Sequence, residues 1–295
     1  MGVSVTIFAR NDETRIGGCV SAWLREACEL DLSVIIVDFG STDFTPALAK
    51  ALAAADPRIE FRQAIIADKA GALDDCLHRM DNDAGIHIFT AASIMPADGA
   101  GAAISDALHA NKSAYGATAL AATGRSRKEW AARTINERCL NPQLFALSQE
   151  CIEEIRKRGI HLPSGWIGIG GLIAYLLLSD LEGGADDSFS ERLIVADNAF
   201  FEFPSLPFSY AGARLWRADA NRRAARRFQN ECLYPRLKRE GLAAMPLTAA
   251  ALDRRRRTHR TPSARLFKSW RGERRFSPAF SEQHRGGLLK EFLKS

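Results

Sequence analysis

The residues able to do chemistry cluster where short apolar runs end in polar turns. Residues 33–45 read Ser-Val-Ile-Ile-Val-Asp-Phe-Gly-Ser-Thr-Asp-Phe-Thr, so an apolar run delivers Asp38 into a Gly40-Ser41-Thr42-Asp43 turn. A carboxylate at the C-terminal end of a buried strand, ahead of a capped helix, is a common layout for a small-molecule site in α/β sheets. The start of the chain follows the same plan, an apolar strand leading into Ala9, Arg10, Asn11, Asp12 and Glu13. Lys69 opens a further helical stretch. A cation at a helix N-terminus suits an anion such as phosphate.

The elements that must position these groups alternate. Residues 3–9 are β-rich and alternate in polarity, which predicts a strand. Residues 12–30 carry Ile16, Cys19, Val20, Trp23, Leu24 and Ala27 at helical spacing. Further strands are expected at 34–37, 59–63, 85–89, 113–121 and within 193–203. Helices are expected at 45–55, 69–80, 97–109, 149–158 and 165–179. Thr42 or Asp43 suits the N-cap of the 45–55 helix, and Gly159 the stop of the 149–158 helix. This alternation with short connections predicts an α/β, Rossmann-like fold. Its central sheet is mostly parallel, with helices on both faces and a ligand crevice at the C-terminal strand ends.

Along residues 3–205 these motifs resemble the family 2 glycosyltransferases of the GT-A fold. The family's Val-Asp-x-Gly-Ser-x-Asp-x-Thr signature stands at 37–45, residues 3–13 resemble its first strand and Asn-Glu-Glu turn, and Lys69-Ala-Gly-Ala-Leu-Asp74 resembles its Gly-Lys-x-x-Ala-Leu-Asn segment. The resemblance implies a site for a nucleotide-sugar or nucleotide diphosphate. Ala9, Arg10, Asn11, Glu13 and Asp38 would hold the nucleoside, and Lys69 would face the diphosphate. Four positions depart from the family pattern: Phe8 for Pro, Arg10 for a frequent Tyr, Phe39 for an Asp that reads the base, and Asp74 for Asn.

The acids that the resemblance calls for are missing. Counted back from Pro96, the family's Asp-x-Asp falls on Thr90 and Ala92. A divalent cation bridging protein and diphosphate needs hard carboxylate oxygens there, so no metal ligand is assigned and divalent metal dependence is not expected; no other cofactor is evident. An inverting transferase also needs a base for the acceptor hydroxyl. Residues 164–172 resemble the loop that carries it, with Ile169 and Gly170 in the acidic positions. No catalytic residue is assigned. Asp180, Glu182, Asp186, Asp187 and His161 remain open as replacements, and Trp166 either stacks on a sugar or packs.

The net charge of +5 hides an asymmetry: residues 210–295 hold 22 Lys and Arg against 7 Asp and Glu. Basic helices are expected at 214–239 and 248–255, with little periodicity from 258 onward. Arginines interleaved with Trp and Phe suit an anionic membrane surface and, by the resemblance, a lipid-linked acceptor. No groove-reading nucleic-acid motif is present, so nucleic acid is not the expected partner. The six cysteines form no CxxC pair and read as reduced thiols. The longest apolar run, 167–178, is too short to span a bilayer, and residues 1–10 lack signal-peptide character.

Two domains are therefore expected: a GT-A-like unit at 1–207 and a basic helical segment at 208–295. The expected location is the cytoplasm, peripheral on the inner face of the membrane. Two functions stay open. One is a glycosyltransferase of the bacterial family 2 kind that passes a sugar to a lipid-linked or glycan acceptor without the usual metal site. The other is a non-catalytic pseudo-glycosyltransferase that binds or scaffolds at an anionic surface.

Overall fold

The computed structural model describes residues 2–26, 30–79, 84–124, 127–184, 189–203 and 210–252. Strands β1 (Val3–Ala9), β2 (Leu32–Asp38), β3 (Ile59–Gln63) and β4 (Ile86–Ala91) are joined by helices α1 (Ile16–Glu26), α2 (Thr45–Ala55) and α3 (Lys69–Arg79). Next come β5 (Met95–Pro96), α4 (Ala100–Ala110), β6 (Gly116–Ala121), α5 (Arg127–Asn136), β7 (Leu144–Ser148), α6 (Gln149–Lys157), α7 (Ile169–Leu178), β8 (Leu193–Glu202) and α8 (Tyr210–Glu240). The strands form one sheet in the order β3-β2-β1-β4-β7-β6-β8-β5. β1 to β4 pair in parallel, as do β6 and β8. β7 runs antiparallel to both β4 and β6, and β5 antiparallel to β8.

Both sheet faces are covered. On one, Val5, Ile7 and Ala9 of β1 pack with Ile16, Cys19, Val20 and Trp23 of α1, Ala49 of α2 and Ile104 of α4. On the other, Phe8, Ile35, Val37, Phe89 and Phe145 meet Leu73 of α3, Ile152 of α6, Leu172 and Ile173 of α7, and Leu233 and Leu237 of α8. Strands buried on both faces read as continuous apolar runs, which is why β1 and β2 are buried along almost their whole length.

The expected α/β sheet with helices on both faces is present. The sequence reading missed β5, β7 and α5. Leu144-Phe-Ala-Leu-Ser is a short apolar run whose periodicity fits either a strand or a buried helix. In α5 only Ala131 and Thr134 are buried, too few to make an apolar stripe. Helix α2 starts at Thr45 after Phe44, with no side-chain cap on its N-cap residue. The expected 248–255 helix runs beyond the described residues, as do Cys28 and everything past Leu252. The described cysteines (Cys19, Cys76, Cys139, Cys151 and Cys232) form no disulfide. Among the described residues, no helix is long and apolar enough to cross a membrane.

The second half of α8 is part of the core, since Leu233 and Leu237 are fully buried. Gln229 fastens the same helix to the chain before α7: its Oε1 accepts from Ile167 N–H at 2.9 Å and its Nε2 donates to the Gly165 carbonyl at 3.1 Å. Leu237→Ala is therefore expected to cost about 2–5 kcal/mol, read as a lower urea midpoint. A loss well below that range would mean that α8 only rests on the surface.

Candidate functional site

Three βα turns meet at the C-terminal ends of β1, β2 and β3, where the register pairs Ala9 with Asp38 and Asp38 with Gln63. Asp38 is 1% exposed. Its Oδ2 accepts from Gly40 N–H at 3.2 Å, Ser41 N–H at 3.3 Å and Gln63 Nε2 at 2.6 Å, and its Oδ1 accepts from the Ser41 hydroxyl. The turn closes on its own carboxylate because Gly40 takes φ +94°, a conformation costly for a side chain.

The first two turns are laced together. Asn11 N–H donates to Ser41 Oγ at 2.9 Å, Asp12 N–H to Thr45 Oγ1 at 2.8 Å and Glu13 N–H to Asp43 Oδ2 at 3.3 Å. In return, Thr42 N–H donates to Asn11 Oδ1 at 2.8 Å and Phe44 N–H to Glu13 Oε2 at 2.9 Å. Asn11 sits in the left-handed region at φ 56°, which Asn tolerates better than most residues. Asp12 is buried, and desolvation raises its pKa although Arg10 N–H donates to it.

Arg10 is exposed at this rim, with its guanidinium 5.9 Å from the centre of the Phe39 ring. Two departures from the family pattern thus form one cation–π contact. Lys69 reaches in from α3: its Nζ donates to the Pro142 carbonyl at 2.7 Å and lies 5.9 Å from the Phe8 ring. Burial lowers the pKa of this ammonium to about 8, against the opposing pull of Asp12. The N-terminus of α3 is already capped, because Asp68 Oδ1 accepts from Ala70 N–H at 3.0 Å and Gly71 N–H at 2.9 Å. The ammonium, rather than open helix N–H groups, is what this end of α3 offers an anion.

The remaining sequence candidates fall elsewhere. Asp74 points away toward the chain after α6, accepting from Leu162 N–H at 2.7 Å and His161 Nδ1 at 3.0 Å. Trp166 is buried edge-on against Tyr234, so it packs rather than offering a sugar platform. Asp180 pairs with Arg192 at 2.8 Å beyond the C-terminal end of α7, about 15 Å along that helix from Gly168. Glu182 lies just past it, exposed, while Asp186 and Asp187 lie outside the described residues.

Nor do the residues at the metal station fit a divalent ion. Ala92 is buried and has no donor, and Thr90 is 1% exposed with its hydroxyl unpartnered. At the base station, a Cβ on Gly170 would stand 2.6 Å from the Leu140 carbonyl oxygen, so that position has no room for an acid. An open hollow of about 510 Å³ is lined in part by Asp68, Ser164, Gly165, Phe228, Gln229 and Thr248. Sequence reasoning missed Gln63 and Pro142: one is a strand-end amide, the other a loop carbonyl, and neither has a spacing signature.

The family described as Glycosyl transferase family 2 matches residues 4–92. Among solved structures, the mannosyltransferase PcManGT of Pyrobaculum calidifontis, in complex with GDP-Man and Mn²⁺, has a TM-score of 0.58 at 18% identity, over 91% of this chain and 78% of its own. Glucosyl-3-phosphoglycerate synthase of Mycobacterium tuberculosis, with Mn²⁺, UDP-glucose and phosphoglyceric acid, gives 0.51 at 17% identity, covering 83% and 80%. GalNAc-T7 with UDP, GalNAc and Mn²⁺ gives 0.52 at 11% identity, covering 91% and 56%. Comparison with curated proteins gives no match. The sheet and its helices are those of the GT-A fold. Within that fold, residues 4–92, the stretch similar to the family, contain Asp38, Lys69 and the laced turns.

Gly40→Ala is expected to destabilise by about 1–3 kcal/mol, from its positive φ and a Cβ 3.0 Å from that of Ala67. Gly17→Ala in α1 has open space around it and should show no loss or a small gain. Thermal unfolding of both variants checks the contrast.

Proposed function

We propose that this chain is a glycosyltransferase that takes its sugar from a nucleoside diphosphate donor held over the Ala9–Glu13 and Asp38–Asp43 turns, with Lys69 as the diphosphate cation. What carries the reading is the pair of laced turns beside an ammonium, within the segment that matches the family. The Arg10–Phe39 pair offers a flat, cationic face on which a base can stack. A fixed ammonium beside the leaving diphosphate stabilises charge as it develops, the role for which preorganised charges are effective. The relatives named above carry Mn²⁺ in their structures; with Thr90 and Ala92 at the station, this chain has no carboxylate pair to hold one there. No step is assigned to a metal.

The hollow beside Ser164 and Gly165 is the proposed acceptor site, and a lipid-linked or glycan acceptor is the proposed class. Exposed Arg217, Arg222 and Arg227 on α8 support approach to an anionic membrane surface, and with it a peripheral cytoplasmic location. The proposed division puts the GT-A unit at 1–207 and the basic segment at 208–295, the buried end of α8 fastening one to the other. A second reading, a binding protein that keeps the crevice without the reaction, is favoured by the missing acids at positions 90, 92, 169 and 170.

Calorimetry with UDP and GDP, with and without Mn²⁺, tests the site. One of the two is expected to bind, no more tightly with Mn²⁺; no binding of either sinks the proposal, and tightening by Mn²⁺ sinks its metal-free form. Hydrolysis or transfer of the matching nucleotide-sugar separates the enzyme from the binder. Affinity should fall as pH rises through about 8, because Lys69 is protonated below that pH and neutral above it. Lys69→Met should flatten the profile and weaken binding roughly tenfold or more, the loss of one charge-assisted hydrogen bond. Co-sedimentation with anionic vesicles should weaken in an Arg217→Ala, Arg222→Ala, Arg227→Ala triple variant by about 1 kcal/mol per lost charge; equal binding would refute the membrane reading.

A further inference from the structure

We propose that Asp74, His78 and His161 form a site for a borderline transition-metal dication of the Zn²⁺ type, separate from the nucleotide cradle and independent of the proposed activity. Asp74 and His78 stand four residues apart on α3, hence on one helix face. His161 comes from the chain after α6, which lies across that face. One ligand atom of each residue lies within 4.8 Å of those of the other two.

The spacing suits an ion. His161 Nδ1 is 3.0 Å from Asp74 Oδ2, and His78 Nε2 is 3.6 Å from Asp74 Oδ1. Zinc bonds of about 2.0–2.2 Å in a tetrahedron place neighbouring ligand atoms about 3.3 Å apart, so these contacts already approximate the edges of such a site. The two imidazoles stack with centroids 4.0 Å apart and planes 26° from parallel, their edges converging on the same carboxylate. Two imidazoles and one carboxylate favour Zn²⁺ or Co²⁺ over Mg²⁺, which prefers an all-oxygen shell.

Surrounding backbone orients the carboxylate in advance. Leu162 N–H holds Asp74 Oδ1 at 2.7 Å, and His78 Nε2 lies 3.0 Å from the Ile160 carbonyl oxygen, to which it donates. On binding, Asp74 keeps the Leu162 contact, while His78 Nε2 gives up its contact with Ile160 and His161 Nδ1 its donation to Asp74, each ring then carrying its proton on the opposite nitrogen and turning a lone pair to the ion. The His161 side chain is 53% exposed, against 21% for Asp74 and 18% for His78, which gives an ion an entry and a place for a water ligand. A bound ion would tie the middle of α3, the helix that carries Lys69, to the chain running into Ser164 and Gly165.

The test uses the full-length, tag-free chain, titrated with Co²⁺ as the spectroscopic probe and with Zn²⁺ in competition. One equivalent of Co²⁺ should give visible d–d bands without a thiolate charge-transfer band, Zn²⁺ should abolish them and Mg²⁺ should not. His161→Ala, an exposed position that leaves the Asp74–Leu162 contact intact, should weaken Co²⁺ binding at least roughly tenfold, and His78→Gln likewise. Absence of saturable Co²⁺ binding, a thiolate band, or equal affinity in the folded His161→Ala chain would overturn the assignment.

Discussion

Asp38 carries its charge almost wholly out of water, and a carboxylate in that position has to find donors from the protein or the fold loses several kcal/mol. The chain supplies them from one turn and one neighbouring strand: Gly40, Ser41 and Gln63. Each donor fixes something else. Gly40 and Ser41 curl the β2–α2 turn inward, which leaves Ser41 Oγ where Asn11 N–H can reach it. Gln63 also donates to the Asp38 carbonyl, so the end of β3 is held level with the end of β2. The lacing between the first two turns is thus a consequence of satisfying one buried charge.

The departures from the family pattern are coupled in space. Arg10 faces Phe39, and Lys69 faces Phe8. In both pairs a cation lies against a ring, which gives the crevice a positive, partly apolar lining. Lys69, held by the Pro142 carbonyl, presents a positioned charge there. The crevice in this way offers an attraction for anions.

How much of this was legible beforehand depended on whether the signal was local. Asp38, its turn and the strands around it were readable because an apolar run followed by Asp-x-Gly-Ser carries its geometry within a few residues. Lys69 was readable as a helix-start cation, but the Asp68 cap and the Pro142 partner were not, since the first competes for the same N–H groups and the second lies 73 positions away. Asp74 and His161 were noticed singly. Their meeting depends on α3 and the chain after α6 crossing, which no spacing in one sequence encodes. β7 escaped because four apolar residues in a row suit either period, and the docked half of α8 because its buried leucines are few among arginines.

The tight seat of Gly170 against Leu140 and Pro142 bears on which side chains this segment tolerates. The carbonyl that holds Lys69 belongs to Pro142, and that residue also blocks any side chain at position 170. An acid placed at position 170 would have to push this segment aside and take the partner of the ammonium with it. The packing of one glycine thus ties the side chain allowed at position 170 to the seat of a lysine far earlier in the chain.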